Sequence, residues 1–120
     1  MALISYSESI NYTLLEQYRD MLGVDGVAHS LATLTELLPS YLNELKQHAS
    51  KQQEDAFRRQ AHKVKGGAHS LGFVRIGAAM QFLERDHWTW DQANRVIAEC
   101  EQWLSTDIPE VTAWLGHDNL

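Results

Sequence analysis

"FRRQAHKVKGGAHSLG", residues 57–72, decides how the 120-residue chain is read. On a wheel of about 100° per residue, Phe57, Ala61, Val64, Ala68 and Leu71 fall within one narrow arc. Arg58, Arg59, His62, Lys65, Gly66 and His69 fall outside it. The pattern is an amphipathic helix with one apolar stripe for a core, and Gly72 stands where a left-handed cap would end it. Two consecutive glycines inside such a helix need a reason, because each costs about 1 kcal/mol relative to alanine. Gly66 lies on the outward side, four residues after His62, whereas Gly67 points to the flank of the apolar arc. The first reads as space for a partner and the second as space for a neighbouring helix.

The helical period continues on both sides. From Val27, Leu31, Leu34, Leu38, Leu42 and Leu45 recur at three- and four-residue steps, with "DGVAHS" (25–30) as a start signal and Pro39 as a kink or wide turn. A further helix carries Phe73, Ile76, Met80 and Leu83 and ends at "RDHWTWD" (85–91). Another runs from about Asp91 through Ala93, Val96, Cys100 and Trp103. Short helical pieces, "NYTLLEQYRDML" (11–22) and "PEVTAWL" (109–115), flank these. Strand-type alternation is absent. The expectation is an all-α chain: an antiparallel four-helix bundle with short N-terminal and C-terminal accessory helices. One domain spans 1–120, with tails at 1–8 and 116–120.

Composition narrows the function. A net charge of −6 argues against general nucleic-acid binding. No apolar run approaches membrane-spanning length, and the N-terminus lacks a basic segment followed by an apolar one. The single cysteine, Cys100, excludes an internal disulfide framework and suits a reducing compartment, so a cytoplasmic location is expected. The chain is also expected to be a monomer.

Within this acidic chain the outward face of residues 58–69 is basic. A neutral histidine nitrogen is a competent nucleophile near pH 7, and an adjacent ammonium can hold phosphoryl oxygens. His62 as phosphoryl acceptor and Lys65 as its electrostatic partner follow from that pairing. Other readings compete. A histidine among lysines is also the ordinary make-up of a solvated face. Metal ligation is disfavoured, because no two of the six histidines show the i, i+4 spacing of helical zinc sites. Cys100 and the four tryptophans read as packing, and no glycine belongs to a P-loop or dinucleotide fingerprint.

His62, Lys65 and Gly66 also fit the H-x-x-K-G signature of histidine-containing phosphotransfer (HPt) domains, which "AHKVKGGAHSLG" resembles. "LLEQY", "LLPSYLNEL" and "VTAWL" extend the similarity to the HPt module of Arc-type anaerobic sensor kinases over roughly residues 12–115. The resemblance implies a phosphorelay intermediate with no kinase or phosphatase activity of its own. It implies as partners the receiver domain of a response regulator and a hybrid sensor kinase, with no cofactor and the metal held by the receiver. It further implies that Glu84, by spacing, orients the imidazole of His62, although Arc-type modules carry glutamine there. Arg58, Arg59 and His69 are expected on the docking side, with His69 standing where the family has a small residue. The module is expected to be free-standing. A helical adaptor that binds a receiver or kinase without being phosphorylated is the alternative.

Overall fold

The computed structural model describes residues 9–118 as four helices. The first, α1 (Tyr12–Ser50), opens on Asn11, whose side chain accepts a hydrogen bond from the Leu14 amide at 3.1 Å. Its one non-helical residue is Gly23, at φ 76° and ψ 169°, in the region that favours glycine. The expected N-terminal accessory helix is therefore joined to the first bundle helix through that break, and "DGVAHS" lies in the first turn after it. Pro39 keeps helical dihedrals within α1.

The helix α2 (Glu54–Ser70) has Glu54 and Asp55 in its first turn, where carboxylates suit the helix dipole. It ends as expected at Gly72, with φ 78°. The Gly72 amide donates to the His69 carbonyl and the Phe73 amide to Ala68, the paired bonds of a Schellman cap. A side chain at Gly72 would also press on the Asn11 carbonyl at 3.0 Å. That contact belongs to a short backbone seam. The Asn11 amide donates to Gly72, the Val74 amide donates to Ser9, and Ile10 pairs with Phe73. The seam pins the chain ahead of α1 to the turn between α2 and α3 (Val74–Arg85).

The last helix, α4 (Trp90–Asp118), starts with a capping box: Thr89 Oγ1 accepts from the Gln92 amide and Gln92 Oε1 from the Thr89 amide. The separate helix expected after Pro109 is corrected, since α4 runs through the proline without a break. The expected tail from 116 is corrected too, because the helix reaches Asp118. Pro109 is tolerated because it and Ser105, whose carbonyl loses its helical donor, are both exposed. Pro39 and Pro109 line one groove of about 420 Å³ between α1 and α4. The tail expected over 1–8 lies outside the described residues.

The stripes read from the sequence converge on one core: Leu38, Leu42 and Leu45 from α1, Phe57, Ala61, Val64 and Ala68 from α2, Ile76, Met80 and Leu83 from α3, and Val96, Ile97 and Cys100 from α4. Burial pushes the Cys100 thiol far above its usual range, which fits inert packing. Among the described residues one charged group lies inside. Asp107 of α4 is 0% exposed and takes a bidentate pair from Arg75 of α3, Nη2–Oδ1 2.6 Å and Nε–Oδ2 3.1 Å. The Arg75 guanidinium also lies 5.2 Å from the Trp103 ring centre. No helix among the described residues is long and apolar enough to cross a membrane.

Candidate functional site

Because Ala61, Val64 and Ala68 turn inward, α2 turns His62 out; its side chain is 69% exposed. From α3, Glu84 reaches the same spot. Its Oε1 lies 2.7 Å from His62 Nδ1 and 2.8 Å from Lys65 Nζ, and Oε2 lies 3.2 Å from each. Arg85 Nε approaches Oε2 at 3.3 Å. Hydrogen bonds from Lys65, then His62, then Arg85 outweigh partial burial and hold the Glu84 carboxyl down at about 2. Its folded value lies below the ordinary 4.5, so the stabilisation is complete above that value and is lost as pH falls toward 2. Near neutral pH, Glu84 is an anion that can only accept. Nδ1 of a neutral His62 therefore carries the proton, and the lone pair of Nε2 faces solvent.

The other candidate residues take distinct places. Lys65 does not lie exposed as expected: its side chain is 13% exposed and paired to Glu84. Its removal therefore reaches beyond the surface, stripping Glu84 of its principal cation. Arg58, expected on a free basic face, is turned sideways. Its guanidinium meets the carbonyls of Leu83, Glu84 and Asp86 and the Glu54 carboxylate, and lies 4.5 Å from the Trp88 ring centre. Arg59 is exposed. His69 is exposed too, but its ring covers Gly77 of α3 and occupies the space a Cβ there would need. Reading the sequence did not single out Gly77, since only the facing helix shows what its missing side chain admits. Among the described residues no three His, Cys, Asp or Glu side chains converge as a metal site.

The two glycines divide as the wheel suggests. A Cβ at Gly66 would meet nothing within 4 Å, whereas one at Gly67 would meet Leu34 Cδ1 at 3.2 Å. Gly66→Leu is expected to melt at or above the wild-type temperature, and Gly67→Leu to lose about 1–3 kcal/mol by overpacking. Thermal melts of the two variants check this; equal melting temperatures would refute the division.

Comparison with known proteins gives this arrangement a context. The Hpt domain family model matches residues 29–106, which include His62, Lys65, Gly66 and Glu84. The chain belongs to the Hpt domain family. Its function is histidine phosphotransfer in a phosphorelay. This Hpt domain is 27% identical over 116 residues to the aerobic respiration control sensor protein ArcB of Escherichia coli O157:H7, and 26% identical to ArcB of Escherichia coli K12. Each match covers 93% of this chain but 15% of the sensor, so the chain spans a small part of the relatives' length. The solved histidine-containing phosphotransfer domain of ArcB from Escherichia coli shares the fold. Its TM-score is 0.83 at 24% identity, over 92% of this chain and 95% of that one.

Proposed function

We propose that His62 is the phosphoryl acceptor of this Hpt domain and that it reacts through Nε2. The observation that carries the reading is an imidazole 69% exposed with Nδ1 held at 2.7 Å by a carboxylate. Attack by the Nε2 lone pair on a receiver's aspartyl phosphate forms the P–N bond and breaks the acyl P–O bond. The aspartate leaves as its carboxylate. The imidazole becomes a phospho-imidazolium that keeps its Nδ1 proton, and Glu84 stabilises that positive charge. Transfer to a second receiver is the reverse step.

Lys65 supplies the countercharge for the phosphoryl oxygens. An ammonium has three donors, so it can meet one of them without leaving Glu84. Gly66 leaves the approach clear, and Arg59 and His69 border it on the side where a receiver's acidic rim would dock. Arg58 is not counted in that docking face, because its guanidinium is committed to α3. The partners proposed are the receiver domain of a response regulator and a hybrid sensor kinase. No nucleic acid and no cofactor of its own are invoked, and the metal that assists transfer is assigned to the receiver. Neither autonomous kinase nor phosphatase activity is assigned to the chain, which is read as a cytoplasmic monomer.

Incubation with a phosphorylated receiver domain is expected to leave a label on this chain that is lost in acid and stable in base. An unlabelled chain, or a label stable to acid, would overturn the reading.

A further inference from the structure

We propose that Arg58 is a positioning residue for phosphotransfer: it fixes the C-terminal end of α3 so that the Glu84 carboxylate meets Nδ1 of His62. The inference rests on His62 being the acceptor and deepens that reading. Glu84 is the second-last residue of α3, in the turn where carbonyls lack helical donors and helices fray. A carboxylate mounted there orients a ring only if the turn itself is held.

Arg58 holds it. One Nη1 donates to the carbonyls of Leu83 at 3.2 Å and of Glu84 at 2.8 Å, and Nη2 donates to Asp86 at 3.0 Å. The planar fork suits this task, since a guanidinium presents several donors in fixed directions. Trp88 supports it from the other side. Its ring centre lies 4.5 Å from the guanidinium carbon, and its Nε1 donates to the Leu83 carbonyl at 3.0 Å. Phe57 and Trp90 wedge that indole at centroid distances of 5.1 and 4.8 Å. Arg58 and His62 are four residues apart on α2, one turn of the same rigid helix. The clamp and the acceptor therefore share one frame, and the clamp fixes Glu84 relative to that frame. Without it, the end of α3 would loosen, Nδ1 would lose its fixed acceptor, and neutral His62 would revert toward the Nε2–H tautomer. That tautomer has no lone pair at the exposed nitrogen.

The test uses the whole chain with Arg58→Gln, Arg58→Lys and Glu54→Gln. Side-chain 15N NMR of His62 near neutral pH reads the tautomer without any receiver, and transfer from a phosphorylated receiver reads the rate, corrected for the folded fraction. Arg58→Gln is expected to raise the Nε2–H population and slow transfer on the order of 10-fold, the lower end of what loss of an outer hydrogen-bonding partner costs at metal-ligating histidines. Arg58→Lys, with charge but no fork, is expected to fall between; it carries the test if the glutamine variant does not fold. Glu54→Gln removes only the exposed pairing at Arg58 Nε and is expected to change neither reading. Folded Arg58 variants with the wild-type tautomer and rate would overturn the inference, as would a loss of stability alone. A wild-type chain that takes no label would instead overturn the acceptor reading, and the tautomer measurement would still decide the positioning.

Discussion

His62→Gln is expected to abolish phosphoryl uptake while leaving the fold in place. An amide nitrogen offers no lone pair for attack, so the loss is complete rather than graded. The fold is spared because the imidazole is 69% exposed and its hydrogen bonding is to Glu84 alone among the described residues, a partner a glutamine amide can also reach. Exposed substitutions of this kind change stability by about 0.5 kcal/mol or less. Receiver-driven labelling and a thermal melt on the same preparation check both halves. Label that persists on the variant would move the acceptor elsewhere, and His69, seven residues along the same helix, is the first place to map it.

Arg75→Met is expected to act in the opposite way, with a loss of about 3 kcal/mol or more of stability and no direct effect on the chemistry. Asp107 is 0% exposed and its two oxygens are both taken by Arg75, so deleting the guanidinium strands a charge in the core. Breaking a buried pair from one side typically costs about 3–5 kcal/mol, whereas replacing both partners by apolar groups is often close to neutral. Arg75→Met with Asp107→Leu is accordingly expected to recover most of the loss. The sign with pH follows from Asp107. Burial already raises its carboxyl above 3.8 despite Arg75, and without Arg75 it rises further. A raised carboxyl weakens the fold as pH climbs past the unfolded value, so the deficit should narrow on acidification toward 3.8. Denaturant melts at neutral and acidic pH measure it. A deficit that does not vary with pH would argue against a stranded carboxylate.

What could be read from the sequence was whatever depends on spacing along one helix. The stripe of Phe57, Ala61, Val64 and Ala68 is fully buried, and the same periodicity placed His62 outward and separated Gly66 from Gly67. Glu84 came from family resemblance and its distance along the chain, and the structure brings its carboxylate to both His62 and Lys65. The departures share one cause. Arg58 is expected on a free basic face, and only the register of α2 against the end of α3 gives its guanidinium carbonyls to hold. Nothing in the sequence singles out the Arg75–Asp107 pair, which likewise exists only through helix packing. Lys65 is half-hidden for the same reason. Both prolines read as breakers, yet a proline whose lost hydrogen bond faces water interrupts a helix less than its chemistry suggests. Gly23 carries the opposite lesson: between two stretches that the sequence already separates, one glycine ends a run of helix by its backbone alone.

The turn at Gly23 sets off residues 12–22 as a strut held at its start by the Asn11–Gly72 seam and along its length to the far end of α4. The Tyr12 hydroxyl donates to Glu110 at 3.0 Å, the Tyr12 ring packs on Trp114, and Arg19 stacks on the same indole. The most extensive packing between helices lies elsewhere, between α2 and α3. Cooperative opening therefore has a natural fault line. The Tyr12 and Arg19 contacts and the last turns of α4 can loosen as one sub-global unit, with the Asn11–Gly72 seam, α2 and α3 still registered and the imidazole still on its carboxylate. Breathing at the periphery and readiness at the reactive nitrogen are thus separable properties of the same small chain.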